Sequence, residues 1–245
     1  MEITPVARIF TDFPTKFAVP RQSGLVEGTP AVIVMEKPFR NPDAFKEIAS
    51  FSHLWLIWEF SENRREQWSP TVRPPRLGGN SRVGVFASRS PFRPNALGLS
   101  CVRLEKFVPS SADGPLLYVR GADIVNGTPI YDIKPYLPFT DSHPDALSGY
   151  AGAVYDKKLE VKVAASCQTG SPFQTPALMP VEKWQELKAL LAQDPRPSYQ
   201  DDPQRVYGFP FAGWEVRFRV EDGVLWVLQV EKRKASPKAR YAENF

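Results

Sequence analysis

The sequence predicts a mainly β protein, in which an antiparallel sheet or barrel is followed by a small α+β domain. Proline accounts for 25 of the 245 residues, and prolines interrupt both helices and central strands, which argues against a helical bundle. Short segments rich in β-branched and aromatic residues recur between turns of Gly, Pro, Ser and Asp. An amphipathic helical pattern comes only late, at residues 181–193.

The first predicted elements are strands with one short helix between them. Residues 30–36 form a short run rich in β-branched residues, which predicts a buried strand. Asn41 and Pro42 then suit the N-cap and first position of a helix that reaches about Ile48. Residues 51–60 are apolar at odd and even positions alike, so we expect a strand covered on both faces. Further strands are predicted at residues 83–87, 98–107 and 116–125.

The chain changes character after about Lys162. Turn residues dominate 166–180 and predict a connector. Residues 181–193 then predict a helix that Asp194 and Pro195 end. The Asp222-Gly223 pair predicts a tight hairpin between strands at 215–220 and 224–231, with Arg217 and Arg219 on the face opposite the apolar side chains. We therefore expect two domains, residues 1–164 and 165–245, the second a candidate for contacting RNA phosphates.

Positive charge is concentrated in residues 61–95, hereafter the arginine-rich segment. It contains seven arginines, two glutamates and no Asp or Lys, a net charge of +5 against +4 for the whole chain. The planar guanidinium binds phosphate or carboxylate at two points and stacks on bases, which lysine does not. We interpret the segment as an anion-binding surface, with an ordinary solvated loop as the alternative.

Several function classes lose support because their motifs are absent. The sequence contains no GxGxxG after a strand, GxxxxGK, HExxH, CxxC or GxSxG pattern. Two cysteines and two histidines are too few for a disulfide framework or a structural zinc site. No run approaches the roughly 18 apolar residues of a membrane span, and the N-terminus lacks a signal-peptide pattern. We expect a cytoplasmic protein without metal.

Isolated polar residues mostly suit structural roles. Asp141, His143 and Asp145 resemble a metal cluster, but the serine and proline between them favour a turn. His53 and Cys101 lie in apolar strands and are expected in the core, His53 with a hydrogen-bond partner. The Gly78-Gly79-Asn80 run can be a turn or a cradle for a phosphate group. Trp68 can be a core residue or an aromatic surface that stacks on a base.

Three segments contain more polar side chains than a purely structural role would explain: residues 14–28, 70–98 and 126–139. In these segments the sequence resembles the TrmO family, which is also called YaeB or TsaA-like. The resemblance rests on five stretches: KFAVPRQSGL (16–25), FSHLWLIWEF (51–60), PTVRPPRLGGNSRVGVFASRSPFRPNALGLS (70–100), NGTPIYDIKPYLPF (126–139) and AQDPRPSY (192–199).

The resemblance implies a fold and an activity. Members are S-adenosylmethionine-dependent tRNA methyltransferases that modify N6 of threonylcarbamoyladenosine, the base immediately 3′ of the anticodon. They fold as a single-sheeted antiparallel β-barrel and form homodimers, with the cofactor near the subunit interface. For this chain, the resemblance implies a cofactor site that draws on Gln22, Ser23, Gly24, Ser61, Glu62, Arg89, Leu99 and Asp123.

The catalytic and RNA-binding residues follow from the same activity. Asp132 is the candidate base for the N6 proton, although Asp132 and Lys134 can instead pair with each other. Tyr131 can face the sulfonium cation with its aromatic ring. The anticodon stem-loop and the threonyl carboxylate are expected to bind Arg73, Arg76, Arg82, Arg93 and Asn95, together with Arg89.

Two other functions stay open. A non-catalytic RNA-binding adaptor would explain the arginine-rich segment equally well, and it predicts no cofactor affinity. A methyltransferase with the same cofactor but another acceptor is the second alternative.

Overall fold

A computed structural model describes residues 2–63, 67–74, 77, 81–154, 158–167, 179–196 and 202–233. Six strands close into an antiparallel barrel in the order β1-β2-β7-β6-β3-β8. Their bounds are β1 Ala7–Thr11, β2 Pro30–Met35, β3 His53–Glu59, β6 Leu97–Val108, β7 Leu116–Arg120 and β8 Thr128–Pro135. The prediction of a mainly β, single-sheeted barrel domain is confirmed.

Alternation along the strands fills the barrel interior. On β3 the side chains of Leu54 and Leu56 are fully buried, while Trp55 and Ile57 between them are half-buried on the outer face. Each fully buried aliphatic side chain stabilises the fold by roughly 1.5–3 kcal/mol. The expectation of a strand covered on both faces therefore holds only in part, because the outer face keeps some exposure.

Several predicted elements are shorter than the sequence suggested. The helix expected after Asn41 is two 3-10 turns, Pro42–Phe45 and Ile48–Ser50, because Glu47 between them has a φ of +66°. The Asn41 side chain does cap the first turn, accepting from the Asp43 N–H. The strand predicted at 116–125 ends at Arg120, where Gly121 adopts a φ of +78°.

The predicted strand at residues 83–87 is largely wrong. Only β5, Val83–Gly84, is extended, and it pairs with the equally short β4, Thr71–Val72. A 3-10 helix, Val85–Ala87, follows immediately. A four-residue helix, α1, spans Pro138–Asp141.

The C-terminal sheet has the strand order β10-β11-β12-β9. Its members are β9 Glu160–Val163, β10 Tyr207–Phe211, β11 Trp214–Glu221 and β12 Val224–Lys232, and the helix α2, Val181–Ala192, packs on it. The predicted α+β character, the helix and the hairpin are all confirmed. Asp222 and Gly223 both have positive φ, 50° and 76°, as a tight hairpin turn between right-twisted strands requires.

One boundary changes. β9 pairs in parallel with β12, so residues 160–163 belong to the C-terminal sheet and not to the first domain, where the sequence analysis placed them by setting the boundary after residue 164. No local pattern signals this, since a four-residue strand takes its sheet from a partner some 60 residues away.

The two parts share a core. Phe13, Ala18 and Val26, from the loop between β1 and β2, are buried in the hydrophobic cluster of the C-terminal sheet. An ion pair reinforces the junction: Lys183 Nζ on α2 lies 2.7 Å from the Asp12 carboxylate at the end of β1. Among the described residues, no helix has the length and apolarity that a bilayer crossing requires.

Candidate functional site

A large open cleft of about 2230 Å³ lies against the outer wall of the barrel. Strands β3, β6 and β8 form its floor. Its sides are the 14–28 loop, the described part of the arginine-rich segment and the turn that follows α2. The cleft therefore collects residues from all three polar segments that the sequence analysis singled out.

The 14–28 loop, which forms one side of the cleft, is held against the barrel by a contact between two glycines. Gly24 donates its N–H to the carbonyl of Gly121 at 2.9 Å, and both residues have a φ of +78°. An added Cβ at Gly121 would lie 3.5 Å from the Gly24 nitrogen, at ordinary contact distance, so the positive φ is what favours glycine here. This contact sets Gln22 and Ser23 at the edge of the cleft.

Asp123 is a partly buried carboxylate on the cleft wall. It accepts hydrogen bonds from the Ser100 hydroxyl and from the Ser23 N–H, and the Arg89 guanidinium lies near enough to attract it. Burial nevertheless raises the pKa of Asp123 above its ordinary value, since desolvation of the charged form outweighs these interactions. Ser23 is also held by its hydroxyl, which accepts from the Cys101 N–H at 3.1 Å.

Arg89 joins the arginine-rich segment to the opposite side of the cleft, because its Nη1 donates to the Gln22 side-chain carbonyl. Serines hold the backbone around it without regular secondary structure: the Ser88 hydroxyl accepts from the Ser90 N–H, and the Ser90 hydroxyl accepts from the Phe92 N–H. Arg93 donates to the Ser88 carbonyl at 3.0 Å, so at least one of its donors supports the loop.

The floor of the cleft combines apolar and aromatic groups. Leu99 on the outer face of β6 is 57% exposed. Beside it, the Trp58 ring covers Gly98, where an added Cβ would clash at 2.3 Å, and the Trp58 Nε1 donates to the Ser100 hydroxyl. Ser100 therefore links the Trp58 indole to the Asp123 carboxylate.

Strand β8 places Tyr131 in the cleft by means of a β-bulge. Ile57 pairs with Asp132, but the next residue of β3, Trp58, pairs with Ile130, so Tyr131 is the extra residue on β8. Its hydroxyl donates to the Glu59 carboxylate at 2.7 Å.

The structure does not bring Asp132 and Lys134 into the cleft. They form an ion pair of 2.9 Å with each other and are half-exposed on the barrel surface, which is the alternative that the sequence left open. The structure therefore places neither of these two predicted catalytic residues beside the cleft.

The remaining predicted cofactor residues lie on the rim. Ser61 and Glu62 form a short 3-10 turn after β3 and line the cleft. Lys16 ties this turn to the 14–28 loop, since its Nζ donates to the Glu62 carbonyl at 2.8 Å and to the Asn63 side chain at 3.1 Å.

Of the predicted RNA-binding residues, Arg73, Arg82, Arg93 and Asn95 line the cleft. Arg82 donates to the Thr71 hydroxyl across the β4–β5 ribbon, which orients it. Arg76 and the Gly78-Gly79-Asn80 run lie outside the described residues. Trp68 is half-exposed and packs against Phe86, which is 74% exposed, so this indole is not a core residue.

The isolated polar residues have structural partners. The Asp141 carboxylate accepts from the Trp55 indole and the Leu137 N–H, and the Leu137 bond is the main reason that its pKa is lowered. His53 is hydrogen-bonded to the Ser52 hydroxyl, but it is half-buried, so the core position expected for it is wrong. Cys101 is also half-buried and lines the cleft, so the core position expected for it is wrong.

Three residues of the site were not predicted from the sequence: Trp58, Glu59 and Ser100. Glu59 carried a signal: it is the single charged side chain in the apolar run 51–60, and it is 8% exposed. A carboxylate buried in such a run needs a specific partner.

Comparisons with known proteins agree with this architecture. The family model "tRNA-methyltransferase O N-terminal domain" matches residues 8–142, and the "TrmO C-terminal domain" model matches residues 157–233. The chain is 39% identical over 232 residues to the tRNA (adenine(37)-N6)-methyltransferase of Escherichia coli K12, covering 92% of this chain and 95% of the relative. It is 48% identical to the protein of the same name from Eikenella corrodens, over 74% of this chain and 97% of the relative.

The fold comparison gives the same result. The crystal structure of TrmO from Pseudomonas aeruginosa superimposes with a TM-score of 0.70 at 30% identity, covering 94% of this chain and 98% of the other. The resemblance found in the sequence is thereby confirmed over both parts of the molecule, and the chain belongs to the TrmO family.

Proposed function

We propose that this protein transfers a methyl group from S-adenosylmethionine to N6 of adenosine 37 of tRNA, in its threonylcarbamoylated form. The relatives that it matches over nearly their whole length bear the name of the adenine-37 N6 activity. The observation that carries the proposal is one connected network on the cleft wall, in which Arg89, Gln22, Ser23, Asp123 and Ser100 are joined by hydrogen bonds and charge.

The cleft residues fit the chemistry of S-adenosylmethionine, which supplies an activated methyl group on a sulfonium cation. Carboxylates and aromatic faces attract such a cation, and Asp123, Glu59 and Trp58 offer both. Exposed Leu99 offers apolar surface for a purine, while Gln22 and Ser23 offer polar groups for an amino-acid head group. Ser61, Glu62 and Gly24 complete the proposed cofactor site.

Tyr131 and Glu59 are the proposed proton acceptors. Because the Tyr131 hydroxyl donates its hydrogen to Glu59, its oxygen meets an N–H that approaches in the cleft as an acceptor. When the substrate N6 gives up its proton, the Tyr131 oxygen accepts that proton and its own hydrogen passes to the Glu59 carboxylate. The two residues thus take over the role that the sequence analysis gave to Asp132.

The arginines of the cleft are the proposed contacts to the RNA substrate. Arg73, Arg82, Arg93 and Asn95, and Arg76 from outside the described residues, are proposed to bind the anticodon-loop backbone and the threonyl carboxylate, since guanidinium binds both groups. The exposed rings of Trp68 and Phe86 suit stacking on unpaired bases of that loop.

A homodimer is proposed as the working form. The large apolar side chains exposed on the described surface include Leu97, Leu99, Phe139 and Leu147. Apolar exposure of this kind suits a protein interface. The tRNA substrate makes the cytoplasm the expected compartment.

Two measurements test the function against its alternatives. Mass spectrometry of tRNA nucleosides from a deletion strain is expected to show threonylcarbamoyladenosine without its N6-methylated form, and the wild-type gene is expected to restore the methyl group. An unchanged nucleoside profile would contradict the proposed acceptor. Calorimetric titration with S-adenosylhomocysteine separates enzyme from adaptor, because an RNA-binding adaptor has no affinity for it.

A further inference from the structure

The 14–28 loop, which carries the proposed cofactor residues Gln22, Ser23 and Gly24, is built into the C-terminal domain. Ala18 and Val26 are buried in the hydrophobic cluster of that domain. The Phe17 ring lies nearly parallel to Tyr207 at 6.4 Å and contacts Phe209 at 5.8 Å between centroids. Most of the apolar anchoring of this loop therefore comes from residues beyond 180.

A polar contact fixes the loop immediately before Gln22. Arg21 Nη2 donates to the main-chain carbonyls of Asp194 and Arg196, at 3.1 Å each. These carbonyls belong to the turn that ends α2, and the turn is itself ordered by two bonds from the Arg196 guanidinium to the Asp194 carboxylate, of 2.8 and 2.9 Å. The Arg21 side chain thus fastens the cofactor loop to an internally hydrogen-bonded turn of the other domain.

The barrel holds the other end of the same short stretch. Gly24 is bonded to Gly121, and the Ser23 N–H is bonded to Asp123. Gln22 lies between the two attachments, and its side chain accepts from Arg89. If the Arg21 attachment is released, the main chain at Gln22 is held from the barrel side alone, and the orientation of Gln22 and Ser23 towards the cleft is less firmly set.

We propose that Arg21 is a positioning residue through which the turn at Asp194–Arg196 sets the affinity of the cleft for S-adenosylmethionine. The inference rests on the proposed function of Gln22–Gly24 as cofactor residues. The C-terminal domain thereby gains a role in cofactor binding, although its residues lie far along the sequence from the 14–28 loop.

The role predicts a particular kinetic signature. Gln22 and Ser23 are proposed to contact the cofactor and not the acceptor, so releasing them weakens binding equally before and during methyl transfer. Such a change raises KM and Kd for the cofactor and leaves kcat at saturating cofactor nearly unchanged. Loss of hydrogen bonds to a charged group changes an equilibrium constant by roughly tenfold.

The test uses the full-length variants R21M and R21K, with R40M as the matched control. Arg40 also donates to a main-chain carbonyl, that of Met35 at 3.0 Å, but lies outside the cleft. Titration with S-adenosylhomocysteine is expected to give a Kd about tenfold higher for R21M, intermediate for R21K and unchanged for R40M. kcat at saturating S-adenosylmethionine and the Kd for tRNA are expected to stay within about twofold of wild type.

Three outcomes would overturn the inference. An R21M variant with wild-type Kd for S-adenosylhomocysteine shows that the contact does not position the loop. Equal losses of affinity for S-adenosylhomocysteine in R21M, R21K and R40M would show that the effect is general destabilisation. An R21M variant that loses tRNA affinity alone places Arg21 at the RNA. Wild-type protein with no affinity for S-adenosylhomocysteine would instead overturn the proposed function itself.

Discussion

The Tyr131 hydroxyl and the Glu59 carboxylate meet at 2.7 Å because a β-bulge turns Tyr131 out of the regular pairing between β8 and β3. In an unbroken ladder, Tyr131 would pair with Trp58, and Asp132 would keep the same neighbour, Ile57, that it has now. The bulge therefore changes the orientation of one side chain and leaves the next one on the surface.

The variant Tyr131→Phe tests this relationship. It keeps the ring and removes the hydroxyl that passes a proton to Glu59, so we expect kcat to fall roughly 100-fold, as for the loss of a general base. The Kd for S-adenosylhomocysteine should stay within about twofold, and Tyr136→Phe, outside the cleft, should behave as wild type. Single-turnover methylation of tRNA measures the effect, and a near-normal rate in Tyr131→Phe would exclude the proposed proton path.

Arg89 connects the arginine-rich segment to Gln22 and to Asp123. We expect Arg89→Ala to lower methylation by at least roughly 100-fold, because a positioned cationic donor is lost, while the melting temperature changes little, since the side chain is exposed. Arg103→Ala, exposed on β6 outside the cleft, is the control. Substantial activity in Arg89→Ala would remove this arginine from the site.

Recognition of the threonylcarbamoyl group is tested with the substrate. A site whose guanidinium groups are placed for a carboxylate leaves them unpaired when it is missing, and such sites reject the shorter analogue by large factors. We expect kcat/KM for unmodified tRNA transcript to be lower by at least roughly 10³-fold. The same transcript after enzymatic threonylcarbamoylation is the control. Equal turnover on both would show that the group is not recognised.

Lys183 neutralises two carboxylates at the junction of the domains, Asp12 at 2.7 Å and Glu186 at 2.9 Å. Burial raises the pKa of both carboxyl groups, and the attraction of Lys183 opposes that rise. Lys183→Met leaves both buried charges unpaired, so we expect the free energy of unfolding to fall by about 3–5 kcal/mol at pH 8. Lys188→Met, exposed on the same helix, should change it by less than about 0.5 kcal/mol.

The pH dependence of Lys183→Met has a definite sign. A carboxyl with a raised pKa in the folded state binds a proton that the unfolded chain has already lost, so stability increases as the pH falls towards the pKa of the unfolded state. The variant should therefore recover part of its lost stability between pH 8 and pH 5, as measured by urea denaturation. A loss that is constant or larger at pH 5 would contradict the burial of these carboxylates.

The contribution of the C-terminal sheet to RNA binding is tested at Arg217. Its side chain is exposed, whereas Arg219 on the same face is paired with Glu221 at 3.0 Å. If Arg217 contacts a phosphate, Arg217→Ala should reduce the slope of log K against log salt for tRNA by about 0.7–0.9. Lys46→Ala, exposed at the end of the 3-10 turn Pro42–Phe45, should leave the slope unchanged. Identical slopes for wild type and Arg217→Ala would exclude the contact.

The sequence predicted those features that local chemistry determines. The apolar runs marked most of the barrel strands, and Asp222-Gly223 marked the hairpin turn. The barrel strands β1 and β8 were missed, and β8 contains Pro129 and Pro135, which are tolerated near its ends.

Individual residues of the cleft were predicted from the sequence, but their arrangement in space was not. Gln22, Arg89 and Asp123 were identified by resemblance, and the structure brings them together. Asp132 and Tyr131 are adjacent in sequence, and the bulge turns Tyr131, not Asp132, towards the cleft. That choice depends on register with a distant strand, which no local pattern contains.

The hydrophobic core shared by the two domains affects the order in which parts of the protein can fold. During synthesis Phe13 leaves the ribosome long before Phe211, which its ring contacts, and Val230 of the same hydrophobic cluster follows later still. The contact spans nearly the whole described chain, and such contacts form late because a long loop must close first. The barrel can therefore close on a nascent chain whose cofactor loop still lacks its support. A product that terminates before α2 would carry every residue of the barrel wall and still lack the surface against which the 14–28 loop packs.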